Sequence, residues 1–341
     1  MAAADPTRGG GERLLEVRDL STSFFTPEGE VKAVDRVSFH VDVQEIIGVV
    51  GESGCGKSVT QLSVLQLVPS PPGKIVQGEV LFEGTDLLRF APTSREMLSI
   101  RGHQISMVFQ EPMTSLNPVF TVGNQLTEVI RVHLGLSSWQ AYARAARLLE
   151  SVGIPEPERR LKSYPFELSG GMRQRVMIAM AISCNARLII ADEPTTALDV
   201  TTQAQVMELL LSLVRSRAIS LIVVTHNLGL VARYVKRIYV MYAGRIVESG
   251  ATEDILSRPR HPYTLGLLRS VPRLDGKRGE QLVPIPGSPP SLRDLPPKCA
   301  FLPRCRYAAE VCRATPFPPL RPVGAREHFT ACHRDIAGET R

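Results

Sequence analysis

Residues 46–58 run from Ile46-Ile47-Gly48-Val49-Val50 directly into Gly51-Glu52-Ser53-Gly54-Cys55-Gly56-Lys57-Ser58, and nothing else in the 341 residues constrains the fold as strongly. The apolar run reads as a buried strand. Delivered straight into a glycine-rich turn, it is the entry to a loop that cradles phosphate, because glycines let successive backbone N–H groups curl around one anion at a helix N-terminus. Gly51, Ser53, Gly54, Cys55, Gly56 and Val59 belong to that cradle. Lys57 is placed to neutralise phosphate oxygens, and the Ser58 hydroxyl suits Mg²⁺, a hard cation that prefers oxygen ligands. Cys55 reads as a small inert filler with no catalytic role.

The surrounding pattern is compatible with an α/β core. Leu14–Phe25 and Val31–Val43 read as strands with alternating apolar positions, and further strands are expected at Leu188–Ala191, Ser220–Thr225 and Arg237–Met241. Helices at Met172–Ser183 and Thr201–Val214 fall between these, which implies a largely parallel sheet covered on both faces. Thr121–Gly153 holds two helical patterns separated at Ser137, a helical insert within the core. Leu188–Glu193 ends a buried strand in two carboxylates, where unpaired charge is costly. Asp192 suits a Mg²⁺ shell, and Glu193, facing the other side, suits a base that polarises attacking water.

Leu168-Ser169-Gly170-Gly171-Met172-Arg173-Gln174-Arg175 resembles the signature octet of the ABC ATPases, and other elements of that family follow in its order. The resemblance implies a nucleotide-binding core, a mixed sheet with helices plus a helical subdomain, that binds ATP and Mg²⁺ and works as a head-to-tail pair. In it, Ser169, Gly170 and Gly171 would meet a γ-phosphate held by the partner subunit. Gln110 resembles the glutamine that links Mg²⁺ to the membrane-domain interface, Asp199 a residue that crosses to the partner, and His226 the histidine that contacts γ-phosphate. Phe24 or its neighbour Phe25 would offer a ring to adenine. Two positions depart from the pattern: Gln44 stands where glycine is usual, and Asn227 where aspartate follows the histidine. Neither removes a catalytic atom, although both bear on local turn shape.

These residues imply three segments: a flexible tail over 1–13, a nucleotide-binding domain over 14–257 with a helical subdomain at about 112–185, and a Pro- and Cys-rich extension over 258–341. His261-Pro262-Tyr263-Thr264, Pro284-Ile285-Pro286-Gly287 and the late cysteines resemble the C-terminal extension of oligopeptide and dipeptide importer ATPases. That resemblance implies a second, related ATPase subunit as a heterodimer partner, two membrane-spanning permease subunits and an extracytoplasmic binding protein. It places the chain at the cytoplasmic face of the membrane. Nickel or glutathione-like cargo is the alternative to peptides, and a soluble ABC ATPase acting on nucleic acid a further one. The sequence offers neither a long coiled-coil insert nor an aromatic-interleaved basic stripe, so no nucleic-acid partner is expected.

Composition narrows the partners further. The net charge of +6 comes from the end of the chain, since residues 258–341 hold 15 Lys/Arg against 7 Asp/Glu and the rest 25 against 27. No apolar run reaches the roughly 18 residues that cross a bilayer, and Met1–Glu12 lacks the apolar segment of a secretory signal. Disulfides are therefore not expected among the six cysteines. Cys299, Cys305, Cys312 and Cys332 gather near the end, and four thiols suffice for one metal site, either iron–sulfur or zinc. The resemblance implies a 4Fe–4S centre, with Lys298, Arg304, Arg306 and Arg313 offsetting its negative charge.

Overall fold

The computed structural model describes residues 12–111, 115–195, 199–270, 284–293, 295–324, 327–334 and 336–337. Most of the expected N-terminal tail therefore lies outside the described residues. Two compact units emerge, one from residues 1–89 with 224–341 and one from 90–223.

The first unit opens with β1 (Arg13–Thr26) and β2 (Gly29–Asp42), joined by a two-residue turn that obliges them to pair antiparallel. β3 (Ile46–Val50) follows, buried at every position, and leads through the glycine turn into α1 (Lys57–Val64). Gln44, in the turn before β3, takes the left-handed conformation at φ 59°, so the position keeps the shape glycine would adopt, at a cost of about 1 kcal/mol. β4 (Gly73–Phe82) and β5 (Thr85–Asp86) complete an antiparallel sheet of order β2-β1-β4-β5. The short turn excludes a parallel pairing for the N-terminal hairpin, so the chain combines antiparallel pairs here with parallel pairs further on.

The second unit begins with α2 (Arg95–Ile100) and β6 (Ile105–Val108). Two amphipathic helices follow, α3 (Val122–Leu134) and α4 (Ser138–Ser151), which pack on each other and bury residues such as Leu126, Ile130, Ala145 and Leu149. The break at Ser137 has a local cause: its hydroxyl accepts from the Gln140 N–H while Gln140 Oε1 accepts from the Ser137 N–H, a reciprocal cap at 3.4 and 3.0 Å. After the short α5 (Pro157–Leu161) come α6 (Gly170–Ala181) and β7 (Leu188–Asp192), and β7 runs parallel to β6. α7 (Val200–Ser216) then leads into β8 (Ser220–Thr225). β7 and β8 are largely apolar and buried at every position, as strands covered on both faces must be.

The chain returns to the first unit through α8 (Leu228–Ala232), β9 (Arg237–Tyr242) and β10 (Arg245–Ala251). β9 pairs parallel with β3 and antiparallel with β10. Ala243 and Gly244, both at positive φ (47° and 78°), form the hairpin turn whose twist suits the flanking strands. α9 (Thr252–Ser257) and α10 (Pro262–Ser270) come next. Residues 258–341, where the composition changes, fall in the same compact unit as residues 1–89 and 224–257. After α11 (Glu310–Ala314), β11 (Arg321–Pro322) pairs with β12 (Phe329–Thr330), and β12 pairs with β10.

Glu248 in β10 is the fastening. Its carboxylate is fully buried and accepts from the backbone N–H groups of Arg260 and His261 at 2.6 and 2.9 Å and meets His328 Nε2 at 2.7 Å. A buried carboxylate is tolerable only with such partners. His261 beside it is buried, and its Nδ1 accepts from the Tyr263 N–H at 3.1 Å. Burial pulls the His261 pKa down to about 3 from its usual 6.5. Between those values the unfolded chain binds a proton that the folded one refuses, so stability is lost as pH falls through that window, by up to about 1.4 kcal/mol per pH unit. His261→Asn, whose Oδ1 can replace Nδ1 as acceptor, is expected to flatten the dependence of chemical-denaturation midpoint on pH between about 6.5 and 3. A variant as acid-sensitive as the unaltered chain would contradict this.

Candidate functional site

The phosphate loop forms as its residues dictate. A Cβ at Gly56 (φ 100°) would stand 2.2 Å from the Ala33 carbonyl oxygen, and one at Gly51 2.3 Å from that of Met241. Both positions therefore require glycine. Lys57, at the first turn of α1 and 4% exposed, turns its ammonium into the loop and donates to the carbonyls of Gly51 at 2.8 Å and Glu52 at 3.0 Å. Ser53 and Gly54 are exposed at the rim, while Ser58 and Val59 are half-buried on α1. Cys55 is buried, and desolvation raises its thiol pKa despite the opposing effect of Lys57. That agrees with an unreactive filler.

The pairing of Glu52 with Tyr263 and Arg304 was not read from sequence. Its N–H donates to Tyr263 Oη at 2.7 Å, and its carboxylate accepts from Arg304 Nη1 and Nη2 at 2.6 and 2.8 Å. Arg304 was expected to offset charge at the cysteines. Its guanidinium instead serves Glu52, whose hydrogen bonds are the main influence raising the arginine's pKa. Residues 52 and 304 are joined by no spacing rule, so only the folded chain reveals the pair.

In the second unit, β7 ends in Asp192 and Glu193 follows it, 4% and 7% exposed. Glu193 lies in the left-handed region at φ 44°, a backbone cost of about 1–3 kcal/mol that tends to collect at functional sites. Gln110, just beyond β6, donates from Nε2 to Glu193 Oε2 at 3.3 Å. The parallel pairing of β6 and β7 brings these two residues together across 83 positions. Ser169 caps α6, its hydroxyl accepting from the Met172 N–H at 3.3 Å, and the half-buried Gly170 and Gly171 form the first turn, where helix amides can meet an anion. Asp199 caps α7 by accepting from the Thr202 N–H at 3.0 Å. Gln110, Ser169 and Asp199 are all exposed.

Two further expected residues belong to the first unit. His226 follows β8 and is exposed, and the Asn227 N–H beside it donates to Thr225 Oγ1 at 3.0 Å. Phe24 is half-buried on β1, whereas the Phe25 ring is 51% exposed and free to meet a flat ligand.

The four late cysteines line one pocket together with His261, Phe301 and Ala331. Burial pushes the thiols of Cys305 and Cys332 up to about 11, and that of Cys299 up as well. Nearby backbone N–H groups, those of Phe301, Tyr307 and Arg334, pull the same three thiols in the opposite direction. Among the described residues, the one His/Cys/Asp/Glu group with ligand atoms all within 4.8 Å is His40, Asp42 and Glu45, not the cysteines. Arg237 already pairs with both carboxylates of that group, at 3.9 and 3.2 Å.

With this geometry in place, comparison with known proteins is informative. Residues 34–196 match the family model described as "ABC transporter", and residues 247–312 the one described as "Oligopeptide/dipeptide transporter, C-terminal region". The chain is 52% identical over 299 residues to the oligopeptide transport ATP-binding protein OppD of Bacillus subtilis, covering 88% of this chain and 83% of that one. It is 49% identical to OppD of Salmonella typhimurium, covering 89% of each. Among solved structures, a dimeric ATP-binding cassette in a post-hydrolysis state bound to ADP and Pi aligns with TM-score 0.62 at 28% identity, covering 70% of this chain and 98% of that one.

Gly56→Ala tests the loop directly. It is expected to lower stability by about 1–3 kcal/mol through backbone strain and to abolish binding of a fluorescent ATP analogue. Unchanged binding would mean that the loop does not need this shape.

Proposed function

We propose that this chain, which belongs to the ABC transporter family and within it to the oligopeptide and dipeptide ATP-binding subunits, hydrolyses ATP to power peptide import. The observation that carries the reading is the phosphate loop, with Lys57 turned inward beneath a cradle that only glycines at 51 and 56 permit.

Each residue then has a physical task. Lys57 exchanges its loop carbonyls for phosphate oxygens, a stronger partner for an ammonium. Ser58, Asp192 and Gln110 would hold Mg²⁺, which supplies charge neutralisation on the phosphates when bound. Glu193 orients and deprotonates the water that attacks the γ-phosphorus as the bond to the ADP oxygen breaks. Gln110 supports it by holding one carboxylate oxygen. His226 stabilises charge developing on the γ-phosphate. The amides of Gly170 and Gly171, with Ser169, complete the site of a second cassette, and Asp199 reaches across the same interface. Phe24 or Phe25 takes the adenine ring; the greater exposure of Phe25 favours it.

An importer ATPase works with a second cassette and a membrane permease. We read the second cassette as a related, different chain, with two permease subunits and an extracytoplasmic binding protein that selects the peptide. This places the chain peripherally on the cytoplasmic face; among its described residues no helix is long and apolar enough to cross a membrane. The helical subdomain at about 112–185 would meet the permease, and residues 258–341 serve as the extension.

Cys299, Cys305, Cys312 and Cys332 would hold a 4Fe–4S cluster, a source of the positive charge that buried thiolates need. The donor set fits. Backbone amides near three of the sulfurs favour thiolate against the burial that opposes it, and cysteines spread more widely than 4.8 Å suit several irons better than one tetrahedral zinc.

Glu193→Gln in the assembled transporter is expected to keep MgATP binding while turnover falls about 10²–10⁴-fold and peptide uptake stops. Unaltered turnover would contradict the assignment. Chain purified without oxygen is expected to be brown, with about four irons and four sulfides per molecule. A colourless chain holding one zinc would overturn the cluster reading.

A further inference from the structure

Glu52 is an unusual residue to find in a cradle for a polyanion, since its carboxylate repels phosphate. Every polar group it carries is engaged. The N–H donates to Tyr263 Oη, the carbonyl accepts from Lys57 Nζ, and the two carboxylate oxygens accept from Arg304. Arg304 in turn comes from the far end of the chain, one residue before Cys305.

The environment of Arg304 is built to hold a guanidinium. Its side chain is 5% exposed. Nε donates to the Pro286 carbonyl at 2.8 Å, Nη1 to Glu52 and to Tyr242 Oη at 3.3 Å, and Nη2 to Glu52 and to the Gly287 carbonyl at 3.3 Å. These contacts occupy all the N–H groups a guanidinium carries. The fork-to-fork pairing fixes the direction of the Glu52 carboxylate as well as its charge, which a lysine cannot do. The rings of Tyr242 and Phe301 each lie 5.9 Å from the guanidinium carbon.

We propose that Arg304 is a positioning residue for nucleotide binding: it cancels the charge of Glu52 and keeps that carboxylate turned out of the phosphate cradle. The C-terminal extension is thereby a working part of the ATP site. The inference rests on reading the loop as that site and goes beyond it by adding a residue from outside the nucleotide-binding core. A lone brace would resist only unfolding. A charge mask also sets affinity for an anion, and its effect depends on salt because the Glu52 carboxylate, 24% exposed, and a nucleotide at the loop are within reach of mobile ions.

The experiment is calorimetric titration of the full chain with MgADP at low and moderate salt, alongside thermal midpoint and iron content. Arg304→Gln is expected to weaken binding about tenfold, the scale of one charged hydrogen bond, more at low salt than at moderate salt. Glu52→Gln combined with Arg304→Gln should recover most of the loss, because the bare carboxylate is gone. Arg304→Lys, which keeps charge without the fork, should fall between. Nucleotide affinity in Arg304→Gln equal to that of the unaltered chain, or no recovery in the double variant, would overturn the proposal. If Arg304→Gln does not fold, Arg304→Lys carries the test: affinity and salt dependence identical to those of the unaltered chain would overturn it. Failure of the unaltered chain to bind MgADP would instead contradict the ATP-site reading.

Discussion

A backbone can surround an anion only where no Cβ stands in the way, and the turn between β3 and α1 meets that condition at the cost of almost any other sequence. Gly51 and Gly56 approach the carbonyls of Met241 and Ala33 so closely that a single methyl group would collide with main chain. The same closeness fixes β3 against β9, because Met241 lies on β9. Lys57 then finds its acceptors inside the loop, holding it in shape with partners that a phosphate can replace.

The part of the chain that composition sets apart is tied into this arrangement by charge. Glu248 draws the backbone of residues 260 and 261 onto β10, and His328 closes over it. From there α10 carries Tyr263 to the Glu52 amide, and the segment ending at Arg304 reaches the Glu52 carboxylate. Burial supplies the free energy of such a packing, but these buried charges specify where it occurs, since any other placement would leave a carboxylate or guanidinium without partners.

Elements with strong local signals were legible from sequence. The buried, largely apolar strands at 46–50, 188–192 and 220–225 and the helices on either side of Ser137 stand where periodicity and capping chemistry put them. β4, whose alternation is interrupted by Gly73 and Gly78, and the two-residue strands β11 and β12 carry too little pattern to be read. The loop residues, Asp192 and Glu193 were recognisable because chemistry and spacing coincide within a few positions. The Glu52–Arg304 pair was not, because 252 residues separate its members and each looks like an ordinary surface charge in its own neighbourhood. Left-handed backbone at Glu193 is likewise invisible in a residue type that rarely adopts it.

Phosphate recognition by the loop is the claim on which the remaining chemistry stands, and comparing MgATP with adenosine isolates it, since the two share the base and ribose. Calorimetric titration of the full chain measures both. A cradle built from amides and Lys57 predicts MgATP affinity at least about a hundredfold stronger than that for adenosine, or roughly 2.7 kcal/mol. Equal affinities would place recognition in the base and ribose and contradict the phosphate cradle.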